Sequence, residues 1–262
     1  MSTLLLVLGL VAVVGTGGLG AYLLLNRSAL ADAAGPQTTT TPTPEVTSAA
    51  PTATPSPTPA PVPSYEMNGP RTYVFAPGDS AVFGTGGTLR KYRVAVETGV
   101  PVSPEDFARA VDATLSDPRS WTGGGNIRLQ RIGGEASGTN FTIYLVTPGT
   151  ARTLCLAAGY DIFWRGEPYS SCYTGRVLIN LSRYLKGIPA YEGHLPTYQQ
   201  YVINHEVGHA LGKGHELCPA AGQPAPVMQQ QTFDMQGCTI NPWPYLNGQL
   251  YSGPPGRIVP RD

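Results

Sequence analysis

The stretch that decides the reading of this chain is YVINHEVGHALGKGH, residues 201–215. It holds three of the protein's four histidines, His205, His209 and His215, with Glu206 beside the first and Gly212 between the last two. Residues four apart on a helix point the same way, with Cβ atoms about 5–6 Å apart. His205 and His209 can therefore offer one nitrogen each to a single ion, at about 2.0–2.1 Å for zinc. Glu206 is rotated by about 100° from His205. That is too far round to join the ligands, yet close enough to reach a water on the ion, as a general base must. Gly212 can take the left-handed conformation that ends a helix, so the chain can turn and bring His215 to the same place. Three imidazoles leave a fourth position free, whereas a structural zinc site is closed by four protein ligands. An open zinc site lowers the pKa of its water toward about 7. The pair HExxH alone is only suggestive, but HExxHxxGxxH is far more restrictive. Zinc is the first choice of ion, and copper, nickel or cobalt would also suit imidazole. His194 stands apart from this pattern and reads as a surface or satisfied core residue.

Working outward, residues 195–212 form one helical unit. Thr197 and Gln200 have the capping-box spacing, and Ile203, Val207, Ala210 and Leu211 share a face that should lie on a sheet. In KYRVAVE (91–97), Tyr92, Val94 and Val96 alternate with Arg93, Ala95 and Glu97, the pattern of a half-buried strand. SPEDFARAVDATLSDP (103–118) reads as a helix with Ser103 as cap, Pro104 and two acids in the first turn, and an apolar stripe of Phe107, Val111 and Leu115. IRLQRI (127–132), NFTIYLVT (140–147) and RVLINL (176–181) read as further strands. Past Gly212 the chain is rich in glycine and proline, with no long element expected. Two main helices and several strands make an α+β domain over 65–262, large enough for one substantial core.

The preceding residues differ in kind. Residues 1–30 contain the uncharged run Leu4–Leu25, which as a helix would rise about 33 Å against a bilayer core of about 30 Å. It reads as a membrane anchor, or as a signal segment cleaved at Ala29-Leu30-Ala31. Arg27, the one basic residue near the span, would by the positive-inside rule leave the domain in the cytoplasm. Residues 31–64, dominated by proline and threonine, cannot bury enough surface to fold and read as a disordered spacer. Extended, the 36–63 portion could reach up to about 90 Å.

Charge and cysteines set the compartment and the partners. Lys+Arg and Asp+Glu are both 17, so no basic surplus points to nucleic acid. The four cysteines, Cys155, Cys172, Cys218 and Cys238, form no CxxC pair. Behind an export-like segment they read as disulfides of an oxidising compartment, against the cytoplasmic reading of Arg27. Of the three possible pairings, Cys155–Cys172 with Cys218–Cys238 closes the shortest loops.

HEVGHALGKGH resembles the zinc-binding motif of the metzincin peptidases at all five of its defining positions. The resemblance implies His205, His209 and His215 as zinc ligands, Glu206 as general base and Gly212 at the turn. It also implies Met228, in Pro226-Val227-Met228, as the methionine turn beneath the metal. More narrowly, 90–245 is similar to a family of exported actinobacterial metzincin-like domains. DPRSWT (117–122), YVINHEVGHALGKGHE (201–216), PAPVMQQQT (224–232) and NPWP (241–244) carry that similarity. A mixed sheet is implied, with one edge strand flanking a cleft in which substrate lies extended. The chain departs from the pattern at Gln230, where some metzincins have tyrosine; Tyr245 lies too far along to be assigned. No cysteine precedes Cys155, so a cysteine-based latency switch is not available. The expected protein is a monomeric zinc metalloendopeptidase acting on a peptide or protein. It would sit at the extracellular face of the cell membrane, held by its N-terminal segment, or be secreted. Two other readings stay open: a non-catalytic, zinc-stabilised binding module at the cell envelope, and an amidase acting on cell-wall peptides.

Overall fold

Tyr73–Phe75 (β1) runs antiparallel along the end of Thr88–Glu97 (β2), and Ile127–Arg131 (β3) runs parallel along the beginning of the same strand. The two share one side of β2, while Phe141–Val146 (β4) runs parallel on the other. A short hairpin, Phe163–Trp164 (β5) with Glu167–Pro168 (β6), follows off the sheet. Cys172–Tyr173 (β7) then forms the sheet edge, antiparallel to Val177–Asn180 (β8), which lies parallel to β4. A second small ribbon, Tyr245–Leu246 (β9) with Gln249–Leu250 (β10), closes the element order. The computed structural model describes residues 61–134 and 137–259, within one unit spanning Thr58–Asp262. Its fold is α+β, with a mixed six-stranded sheet and four α-helices among the described residues: α1 (Pro104–Ser116), α2 (Pro148–Ala157), α3 (Leu181–Lys186) and α4 (Leu195–Ala210).

Strand parity explains the layering. Tyr92, Val94 and Val96 of β2, Ile143 and Leu145 of β4, and Val177 and Ile179 of β8 all face the main core. There they meet Phe107, Val111 and Leu115 of α1 and Tyr198, Val202 and Ile203 of α4. The opposite face carries Tyr144, Val146 and Leu178, covered by Ala151 and Cys155 of α2. A sheet covered on both faces is the usual setting of parallel strands. It corrects the half-buried reading of residues 91–97. Ala95 is fully buried and Glu97 is 1% exposed. Glu97 accepts hydrogen bonds from the Arg71 and Thr147 N–H groups and the Thr150 hydroxyl.

The sequence missed α2 and α3, and the residues explain why. In PGTARTLCLA few apolar side chains recur at helical spacing. RVLINL reads as one strand, but the Asn180 side chain accepts from the Ser182 N–H at 2.9 Å. This cap ends β8 and starts α3, so Leu181 is helical rather than extended. The helix α1 is built as its sequence implies, with Ser103 Oγ accepting from the Asp106 N–H at 3.0 Å. The expected capping box at Thr197 and Gln200 is absent. His194 occupies the cap of α4, and Pro196 sits in its first turn, leaving Thr197 inside the helix.

Disulfides join Cys155 to Cys172 and Cys218 to Cys238, and they suggest an extracellular or secreted protein. Among the described residues no helix is long and apolar enough to cross a membrane. The anchor or signal segment 1–30, and the spacer up to residue 60, lie outside the described residues.

Candidate metal centre

The helix α4 delivers His205 and His209 from successive turns beneath the sheet. Leu211 N–H donates to the Val207 and Gly208 carbonyls as the helix ends. Gly212 follows at φ +83°, a left-handed conformation that favours glycine. Lys213 N–H then reaches back to Gly208 O at 2.9 Å, and the chain carries His215 under His209. The three rings each offer a ligand atom within 4.8 Å of the others. His209 Nε2 and His215 Nε2 lie 3.0 Å apart, a separation at which two ring nitrogens share a proton or a cation.

Backbone carbonyls fix the ring orientations. His205 Nδ1 lies 2.8 Å from Val227 O, and His209 Nδ1 2.8 Å from Lys213 O. Since a carbonyl only accepts, both Nδ1 atoms carry the proton and both Nε2 atoms present a lone pair. Burial, then the neighbouring His209 and His215, hold His205 well below the ordinary imidazole range. Burial likewise lowers His209. His215 is pushed down to about 4, first by burial and then by His209 and Arg257. All three rings are thus neutral at pH 7, the state in which imidazole binds a metal.

Glu206 is 3% exposed, and burial pushes its carboxyl up to about 8. Its Oε2 is enclosed without a hydrogen-bond partner. An orphaned carboxylate oxygen beside three neutral imidazoles is costly unless a positive charge shares the cavity. The donor set therefore fits a divalent zinc-like ion: three nitrogen ligands, two with fixed tautomers, and an acid facing the same space.

The surroundings brace this cluster from below. Gln229 N–H donates to Pro226 O at 2.9 Å, closing a turn over 226–229, and Met228 on that turn is 2% exposed. A Cβ built on Gly208 would stand 2.4 Å from Met228 Sδ and 2.7 Å from Trp121 Cζ2. Only glycine allows α4 to approach so closely. Asn204, fully buried, accepts from the Ser120 hydroxyl and donates to Pro242 O. Its own carbonyl accepts from Trp121 Nε1 at 2.8 Å. The stretches 117–122, 224–232 and 241–244 thus converge on one helix. Sequence reasoning missed Gly208 and Asn204. A glycine inside a helix, at a cost of about 1 kcal/mol relative to alanine, was the available signal for the first.

A cavity of about 140 Å³ opens onto the three histidines and Glu206. Cys172 and Tyr173 of the edge strand β7 form one wall, and Ile162, Val202 and Phe233 give it an apolar part. Gln230 lines it too, its Oε1 accepting from the Ile258 N–H. Tyr245 is elsewhere, its ring against Gly123 and Gly124. His194 is exposed and takes no part.

A family model described as "Protein of unknown function (DUF3152)" matches residues 60–246. No curated protein and no solved structure matches the chain.

Proposed function

Since the chain belongs to this family, DUF3152, whose description names no activity, we propose its function from the site itself: an exported, zinc-dependent metalloendopeptidase of the metzincin type. One observation carries the reading. Three neutral imidazoles converge on a cavity that Glu206 also lines, and the Glu206 carboxyl is buried with its Oε2 unpartnered. A structural zinc site would close the fourth position with a protein ligand; among the described residues the grouping has three members.

A zinc ion in such a site polarises a carbonyl and lowers the pKa of water toward about 7. The chain supplies the rest. His205 and His209 present Nε2 because Val227 O and Lys213 O hold their Nδ1 protons. Glu206, rotated out of the ligand set and favoured in its ionised form by a divalent cation in the site, would accept a proton from the attacking water and pass it to the leaving amine. Met228 and the 226–229 turn act as the methionine turn, holding the floor under His205. The two-residue edge strand β7 borders the cavity. Its unpaired side offers backbone groups to an extended peptide. The N-terminal segment 1–30 would export the domain and tether it, or be removed on release.

The test pairs two variants of the full chain. Wild type should hold one zinc and cleave members of a peptide library. Glu206→Gln should keep the zinc and lose about 10²–10⁴-fold in turnover. His209→Ala should lose both. Zinc without cleavage of any peptide would sink the enzyme reading in favour of a binding module. A Gln variant that turns over at the wild-type rate would remove Glu206 from the mechanism.

A further inference from the structure

Beyond residue 246, where the family match ends, the chain returns to the metal centre. Gly253 N–H donates to Glu216 Oε2, and Leu217 N–H donates to Pro254 O. Gly256 N–H donates to His215 O at 3.1 Å, and Ile258 N–H donates to Gln230 Oε1 at 2.9 Å. Ile258 is buried, at 7% exposed. The backbone at Arg257 is therefore pinned through both neighbours; the residue is exposed, lines the cavity with His215 and Glu206, and its charge is near enough to bear on His215.

Asp161, the other acid lining the cavity, stands 3.7 Å from Arg152. Among the described residues no carboxylate lies within ion-pairing distance of Arg257. A guanidinium presents a planar fork that matches a carboxylate in two hydrogen bonds, which an ammonium does not. Anchoring the backbone on both sides removes the loop-ordering part of the entropy lost on binding.

We propose that Arg257 recognises a carboxylate on the substrate, so that the cavity selects peptides bearing an acidic side chain or a free α-carboxylate near the bond to be cut. The proposal rests on the peptidase reading for the word substrate, but the recognition can be tested apart from turnover.

The probe is a set of three matched fluorescent peptides: one with an internal glutamate and an amidated end, one with glutamine and a free carboxyl end, one with glutamine and an amidated end. Their affinities are measured by anisotropy against the zinc-loaded full chain carrying Glu206→Gln. One acidic peptide should bind at least about tenfold more tightly than the neutral one, as two charge-assisted hydrogen bonds would give. Which of the two does so identifies the source of the carboxylate. Adding Arg257→Gln should bring that ratio close to one, and Arg257→Lys should restore only part of it. Equal binding of all three, or a preference that survives Arg257→Gln, overturns the proposal. Cleavage of the same peptides by the wild-type chain separates the two ideas. Cleavage without acidic preference leaves a peptidase and removes Arg257. Arg257-dependent binding without cleavage leaves the recognition and removes the peptidase.

Discussion

Gly208 is the residue on which the metal centre closes most tightly. Alanine there would gain about 1 kcal/mol of helix propensity, yet its Cβ would meet Met228 Sδ at 2.4 Å and Trp121 Cζ2 at 2.7 Å. Overpacking of this kind costs about 1–3 kcal/mol, and the strain falls on the turn that holds His205. Gly208→Ala should therefore lower both the unfolding midpoint and the zinc affinity, read by calorimetry and by competition with a chelator. Glu206 gives a second prediction, for chelated protein. Its carboxyl goes from 4.5 unfolded to about 8 folded. Below pH 4.5 both states hold the proton and nothing is lost. Between 4.5 and 8 only the unfolded state releases it, so stability falls as pH rises and levels off above 8. The histidines act in the other direction. With His215 lowered from 6.5 to about 4, stability falls as pH drops through that window. Denaturation of chelated protein across pH 4–9 should show both limbs; because the windows overlap between 4.5 and 6.5, Glu206→Gln should flatten the alkaline limb and steepen the acid one.

At the scale of elements, the Cys218–Cys238 bond closes the loop that carries Met228, and it begins three residues after His215. A loop of that length is worth about 3 kcal/mol in the chain-entropy model. Replacing both cysteines by alanine should cost about that much stability, and should weaken zinc binding because His215 and the 226–229 turn lose a common tether. Unchanged affinity would mean that the hydrogen bonds of residues 253–258 hold His215 alone. The elements also show what the sequence could convey. Helix α1 was legible from its cap and proline, β2 from the alternation in KYRVAVE, and β3, β4 and β8 as short runs rich in apolar residues. The short β7, two residues long, carries no periodicity, and its partner across the disulfide, α2, has only a thin apolar stripe. What places both is the contact between them, which no local pattern encodes. The histidines were legible for the opposite reason: their chemistry depends on spacing within one helix and one turn. Arg257, 42 positions from His215 by numbering, had no such mark.

For the whole molecule, two covered sheet faces and two disulfides should leave the fold independent of the proposed zinc. Removing zinc should abolish cleavage while the far-ultraviolet spectrum and cooperative unfolding persist; cooperative unfolding on chelation would mark the site as structural. Below the sheet, however, order has another source. Between Ala225 and Trp243 there is no regular element, and buried side-chain amides take over. Gln231 donates to Pro226 O and Asn241 O and accepts from the Tyr191 hydroxyl. Asn241 donates to Ala225 O and Trp243 O. Backbone N–H groups here are held as firmly as in a helix, for example Gln231 N–H on the Tyr201 hydroxyl and Ala225 N–H on Thr239 O. Resistance to deuterium uptake depends on such bonds being closed, not on the regularity of the backbone. The segment that spectroscopy would count as coil should thus exchange as slowly as the strands, and the floor of the metal site belongs to the last part of the domain to open.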